Sequence, residues 1–327
     1  MPATTAQSAI FDTFARGLTL DGERMQATHP SSETATEDND GPGACVLAFN
    51  ANDPSAAAGL AADIATIASI GVHALPVVTG AYIRDTAEVI DHHAFDDEIV
   101  GAQARAILED VPVHAIKAGF LGSAENISTV AGLASDYSDL PLVTYLPDLS
   151  WWKDEYAETY WEACTDLLLP QTTVLVGSHT TLTRWLLPEW SESKPPSAKA
   201  LAKAASEFGV PYTLVTGISL PDQFIDNILA APHAALCSHK FERFDAHFTG
   251  AGETLSAALT ALIASGTELT EAVAEALGYL DQCLGNGFRP GMGHVLPDRM
   301  FWAQPEPDNT DESEASTLDI PPNATRH

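Results

Sequence analysis

Between residues 247 and 254 the chain reads His-Phe-Thr-Gly-Ala-Gly-Glu-Thr and runs on into LSAALTALIASG. Gly250 and Gly252, on either side of Ala251, permit a tight turn whose backbone amides point one way. The helix predicted to follow adds the positive end of its dipole, so the turn can hold an anion such as a phosphate without a basic side chain. Glu253 falls in the first turn of that helix, where it can accept a proton from a substrate hydroxyl. The same residues also suit an ordinary loop with a capping glutamate, because acidic side chains favour first helical turns.

Other reactive side chains form weaker patterns. His92 and His93 lie beside Asp91, Asp96 and Asp97, a possible metal cluster, but no regular ligand spacing is present and a solvated loop accounts for them equally. Trp151 and Trp152 fall where a lid or rim could stack on a ring, or pack on Tyr156 and Trp161. The four cysteines, Cys45, Cys164, Cys237 and Cys283, are far apart and form no CxxC pair, which points to reduced, buried thiols. No GxSxG elbow, GxxxxGK[ST] loop or GxGxxG fingerprint occurs, which counts against serine hydrolases, P-loop ATPases and Rossmann dehydrogenases.

The formal charge of −30 repels nucleic-acid phosphates, so a nucleic-acid partner is not expected. An enzyme of ATP with this charge must hold phosphate through local dipoles and a metal ion, the demand that the glycine turn meets. A saline habitat would also account for the acid excess. No apolar run reaches the roughly 20 residues of a membrane-spanning helix, and the N-terminus lacks the basic-then-apolar order of a signal peptide. A cytoplasmic protein without a membrane partner is therefore expected.

These residues must be carried by a scaffold, and the 327-residue chain predicts one. Residues 1–43 read as an N-terminal extension that is largely disordered, its stretch from about Thr28 to Gly43 polar and turn-rich; 304–327 read as an acidic disordered tail. Between them, 44–303 alternate two textures. Short apolar runs at 45–49, 74–78, 115–121, 141–146, 172–177, 212–217 and 234–238 predict buried strands. Helical patterns lie at Ala56–Ile70, Asp96–Glu109, Glu125–Asp136, Thr180–Leu187, Ala198–Phe208, Leu255–Ala264 and Thr270–Leu280. Strand followed by helix, repeated, implies an α/β sandwich with a mostly parallel sheet and helices on both faces, whose ligands sit at the carboxyl ends of the strands.

Four segments, in order, resemble the hydroxymethylpyrimidine/phosphomethylpyrimidine kinases. GAGETLSAALTALIASGTELTEAVAEALGYL is similar to that family's glycine turn and C-terminal helices. Ala51-Asn52-Asp53-Pro54-Ser55-Ala56-Ala57-Ala58-Gly59-Leu60-Ala61-Ala62-Asp63 resembles its AGSDPSGGAGIQAD segment, and IATIASIGVHALPVVTGAYIRDT continues in register. Lys117-Ala118-Gly119-Phe120-Leu121 resembles its KxGML strand end, and Gly291-Met292-Gly293-His294 its closing glycine-histidine segment. The resemblance implies a ribokinase-like three-layer sandwich, commonly dimeric. It also implies ATP-dependent phosphorylation, with Mg²⁺, of 4-amino-5-hydroxymethyl-2-methylpyrimidine and then of its phosphate, a step of thiamine biosynthesis.

By position, the resemblance assigns the pyrimidine pocket to Ala51, Ala58, Asp63, Arg84, Phe120 and Asp148. Asp63 matches the family, with a solvated helix position as its other reading. Arg84 stands where the family has glutamine, Phe120 where it has methionine, and the strand end DPVM becomes Leu146-Pro147-Asp148-Leu149. On the ATP side, Ser178 and Thr181 stand for the Asn and Glu of TPNxxEA. VKGG becomes Val215-Thr216-Gly217-Ile218, which removes a phosphate-binding lysine, and Lys240 is a candidate substitute. Glu253 replaces the usual cysteine, one methylene longer than the aspartate of wider ribokinase-like enzymes. These departures leave open a pyridoxal or pyridoxine kinase and a pyrimidine-binding paralogue with impaired catalysis.

Overall fold

A computed structural model describes residues 43–303. The segments 1–42 and 304–327, on which the extension and tail were expected, lie outside the described residues. Strand β1 (Cys45–Asn52) is buried along all but its last residue, as a continuous apolar run in the middle of a parallel sheet should be. Its alternate side chains serve opposite faces: Cys45, Leu47, Phe49 and Ala51 join one core, Val46 and Ala48 another.

Around β1 lie β2 (His73–Arg84), β3 (Val89–Ala94), β4 (Ala115–Ala118), β5 (Leu142–Tyr145), β6 (Val174–Ser178), β7 (Tyr212–Ser219), β8 (Phe224–Ala231) and β9 (Ala234–Glu242). They form one sheet in the order β3-β2-β1-β4-β5-β6-β7-β8-β9. Strands β2, β1, β4, β5, β6 and β7 pair in parallel, while β3 pairs antiparallel with β2 at one edge and β8 pairs antiparallel with both β7 and β9 at the other.

The helices are α1 (Gly59–Ser69), α2 (Asp97–Leu108), α3 (Ala124–Asp136), α4 (Asp154–Ala163), α5 (His179–Leu186), α6 (Ala198–Ser206), α7 (Ala251–Ala264) and α8 (Leu269–Gly285). Helices α1, α7 and α8 pack together over one face of the sheet, and α2 to α6 cover the other, giving three layers. Serines start three of the second group. Ser123, Ser178 and Ser197 each accept the backbone N–H three residues on, which satisfies an orphan donor of the first turn.

The parallel core follows the expected pattern, and the edges add to it. The segment 89–94 was expected as a solvated loop, yet it pairs with β2 as β3: His92 and His93 sit opposite Tyr82 and Ala81. Its alternation of half-buried and exposed residues carries no apolar run. Helix α4 and strand β8 were not expected either. In α4 the mixture of Tyr, Trp and acidic residues buries only Ala157 and Tyr160, so its apolar stripe is faint. Among the described residues no helix is long and apolar enough to cross a membrane.

Candidate active site

The carboxyl end of β1 and the helices α1 and α7 meet over a group of buried charges. Asp63, in the second turn of α1, is fully buried, so the solvated reading of this residue does not hold. Lys117 on β4, likewise 0% exposed, donates to Asp63 Oδ1 at 2.6 Å. Asn50 of β1 donates from Nδ2 to Asp63 Oδ2 at 2.9 Å. Its own Oδ1 accepts the amides of Ala51 at 2.9 Å and Phe120 at 3.1 Å. The Asn50 side chain crosses directly over Gly119, where an added Cβ would lie 2.3 Å from Nδ2. The glycine of the Lys-Ala-Gly-Phe segment is thereby explained by close approach.

The loop from Asp53 to Ala58 is wound around a second buried carboxylate. Asp53 Oδ1 accepts the backbone N–H and hydroxyl of Ser55 at 2.8 and 2.7 Å, and Oδ2 accepts the Ala58 amide at 2.8 Å. Arg84 at the end of β2 pairs with Asp53 Oδ2 at 3.4 Å and donates from Nε to the carbonyl of Asp85. The Arg84 guanidinium is therefore committed to neutralising Asp53. Ala56 adopts a left-handed φ of 54° in this loop, a conformation that costs an L-residue about 1–2 kcal/mol.

The glycine turn lies against that loop. Gly250 has a φ of 89° and caps α7; a Cβ there would fall 1.7 Å from the carbonyl oxygen of Ala57. A Cβ on Gly252 would fall 2.3 Å from the hydroxyl of Tyr145, whose ring also lies 5.9 Å from Lys117 Nζ. Ala251 and Gly252 supply the first amides of α7, which have no acceptor within the helix. Glu253 follows, 9% exposed. Burial pushes its carboxyl above the ordinary glutamate range, against the pull of Lys117, its own backbone N–H and Arg299, while Asp63 adds to the rise. Arg299 pins this junction by donating to Thr254 Oγ1 and to the carbonyls of Ala56 and Ala57.

A wall of aromatic rings stands beside the charges. Phe120 stacks on Tyr82 at 5.4 Å and meets His92, Trp151, Trp152 and Tyr160 edge-on or tilted. Burial raises the Tyr82 phenol well above its usual value, and the charge of Glu253 adds to this, so wall and charges adjoin. Trp152 also touches Tyr156, whereas Trp161 packs on Trp185 and Phe208 instead. His92 is part of this wall, with Nε2 against the Gly122 carbonyl at 2.9 Å. Among the described residues no group of side chains is arranged to hold a metal ion.

The remaining expected positions are placed as follows. Ala51 and Ala58 are buried at the two ends of the Asp53 loop. Asp148 is exposed, with both carboxylate oxygens taken by Ser150. Ser178 and Thr181 close on each other as the cap of α5, hydroxyl to hydroxyl at 2.8 Å. Thr216 donates to the Gly177 carbonyl, and Gly217 donates to Asn227 Oδ1 in a bulge of β7. Lys240 is exposed on the edge strand β9, opposite Asp226. Sequence reasoning missed Arg84 as an ion-pair partner, and it missed Asn50, Tyr145 and Arg299 altogether. Only the glycine in Lys-Ala-Gly carried a signal, for Asn50.

The sequence profile of the family described as phosphomethylpyrimidine kinase matches residues 53–298. The hydroxymethylpyrimidine/phosphomethylpyrimidine kinase of Mycobacterium leprae is 28% identical over 266 residues, 78% of this chain and 94% of that one. The crystal structure of Bacillus subtilis pyridoxal kinase in complex with ADP superposes with a TM-score of 0.70 at 23% identity, covering 80% of this chain and 99% of that one. Phosphomethylpyrimidine kinase from Clostridium difficile superposes with a TM-score of 0.60 at 22% identity, covering 72% and 99%. The fold is thus the ribokinase-like sandwich.

Two stability outcomes follow from the geometry. Lys117→Met leaves Asp63 charged and unpaired in the interior and should cost about 3–5 kcal/mol in urea unfolding, most of it recovered in the Lys117→Met/Asp63→Asn double variant. A single-variant cost below ~1 kcal/mol would contradict the buried pair. Ala56→Gly relieves the left-handed strain and should leave stability unchanged or raise it by up to ~1 kcal/mol, where alanine-to-glycine changes elsewhere lower it.

Proposed function

We propose that this chain, which belongs to the phosphomethylpyrimidine kinase family, transfers the γ-phosphoryl group of ATP to 4-amino-5-hydroxymethyl-2-methylpyrimidine and to its monophosphate, with Glu253 as the general base. One observation carries the reading: a buried carboxyl with raised proton affinity stands at the start of α7, directly after the glycine turn. A base whose pKa moves up from the ordinary carboxylate range toward neutrality takes a hydroxyl proton more readily as the hydroxyl attacks. The amides of Ala251 and Gly252 and the dipole of α7 then face the phosphoryl group being transferred. ATP would bind against these amides, with Mg²⁺ held mainly by the phosphates themselves, as this ion commonly is.

The chain's other residues prepare the acceptor. Asp63 is held in place by Lys117 and Asn50 with its oxygens oriented. The Phe120–Tyr82 stack offers an apolar ring-facing wall for a planar heterocycle. The same wall favours a second reading, a pyridoxal-type acceptor, because it selects a flat ring without specifying its nitrogens. Arg84, with its charge spent on Asp53, no longer presents the donor-and-acceptor amide that an aminopyrimidine would use.

ATP consumption by the purified protein with hydroxymethylpyrimidine, its phosphate and pyridoxal separates these readings; pyrimidine binding without turnover on any of the three would overturn the kinase reading. Glu253→Gln should lower kcat by ~10²–10⁴-fold with little change in nucleotide affinity. Unchanged turnover would remove Glu253 from the mechanism. The same variant should be more stable than wild type at neutral pH. A carboxyl whose folded pKa is raised binds a proton more tightly in the native state, so the wild type loses stability as pH rises through that window. The advantage of the glutamine variant should shrink as pH falls and Glu253 becomes protonated, and urea midpoints across pH would read this.

A further inference from the structure

We infer that Arg299 is a positioning residue for phosphoryl transfer: its guanidinium fork clamps the Ala56–Ala57 loop to the first turn of α7, so that the acceptor side and the phosphate turn are held as one unit. This rests on the reading of Gly250–Glu253 as the reaction centre. Arg299 follows α8, one residue beyond the segment that the family profile matches, and is only 7% exposed. Nε donates to Thr254 Oγ1 at 3.0 Å, Nη1 to the Ala56 carbonyl at 3.1 Å and Nη2 to the Ala57 carbonyl at 2.6 Å. Thr254 Oγ1 in turn donates to the Gly250 carbonyl at 2.8 Å, so the clamp reaches the glycine through one hydroxyl.

The seam that the clamp closes is tight. A Cβ on Gly250 would meet both the Ala57 carbonyl and Arg299 Nη2, so the two loops touch with no room to slide. The clamp also restrains the one left-handed residue of the loop, since the carbonyl of Ala56 is among its acceptors. The base of the fork is fixed from behind, where the Tyr279 hydroxyl donates to the Arg299 carbonyl at 2.8 Å. Three divergent acceptors, two on the loop and one in the first turn of α7, suit a planar guanidinium and not a lysine ammonium.

Arg299 also lies within the field of Glu253. The charged and titratable groups around Glu253 are Lys117 on β4, Asp63 on α1, Tyr82 on β2, Tyr145 on β5 and Arg299. Those around Arg299 are Glu253, Asp63, Tyr279 and Cys283. Two cations thus favour the ionised base, and removal of one should move its titration to higher pH.

The test compares Arg299→Met and Arg299→Lys with wild type and Glu253→Gln. Turnover of hydroxymethylpyrimidine with ATP and Mg²⁺ is followed from roughly pH 5 to 9, and amide hydrogen exchange is measured without ligands. In Arg299→Met, segments 53–58 and 249–254 should lose protection together while 46–49 keep theirs. Its kcat should fall by ~100-fold, and the acid limb of its pH profile should move to higher pH. Arg299→Lys should keep the wild-type limb and recover part of kcat. Unchanged exchange at 53–58, or a lower kcat with an unmoved limb, would overturn the proposal. If the methionine variant does not fold, a lysine variant with wild-type exchange and kcat overturns it, and one with loosened 53–58 supports it. Wild-type turnover by Glu253→Gln would instead sink the base assignment, and the exchange result would still decide the clamp.

Discussion

A lysine and an aspartate with no access to water occupy the junction of β4, β1 and α1, and the arrangement of the site depends on them. Withdrawing either ion from water costs several kcal/mol, which only a close partner and complete hydrogen bonding can offset. Asp63 meets that condition with Lys117 at 2.6 Å on one oxygen and Asn50 at 2.9 Å on the other. Because Asn50 also accepts the amide of Phe120, the network ties the helix to both strands at their carboxyl ends. A pair so confined has one geometry, and that geometry orients Phe120 on one side and the field at Glu253 on the other.

The same principle governs the neighbouring charges. Asp53 with Arg84, Asp63 with Lys117, and Glu253 beside Arg299 make three carboxylates facing three cations in a molecule of formal charge −30. Each of these buried carboxylates thus has a cation within its field. The glycine turn at 249–254 itself contains no cation. It presents only backbone amides and the N-terminal end of α7, while the hydroxyls of Ser178 and Thr181 satisfy each other and that of Thr216 is given to the Gly177 carbonyl.

Four of the positions singled out in the sequence separate by burial. Arg84 and Phe120 have found new partners inside the protein, Asp53 for one and the ring cluster of Tyr82, His92, Trp151 and Trp152 for the other. Asp148 lies on an exposed position where it closes a short turn, and Lys240, the candidate substitute cation, is exposed on an edge strand. The first kind is built into the interior beside the buried network, while the second lies outside it.

The sequence by itself determined the parallel core and the glycine turn. Buried strands and amphipathic helices write their periodicity into consecutive residues, and a left-handed cap needs glycine at one position. Edge elements escaped it: β3 and α4 bury too little to carry a period, so pairing with β2 and packing on α3 decided them. Partnerships were beyond it as well. Asp63 and Lys117 are 54 residues apart, and Arg299 lies 242 residues from Ala57. No local pattern shows which buried charge will meet which, because that choice is made by the sheet order and by the requirement that each desolvated ion find its counterpart. Gly250 was therefore legible as a tight glycine turn before a helix, but only the tertiary structure revealed the arginine clamped across it.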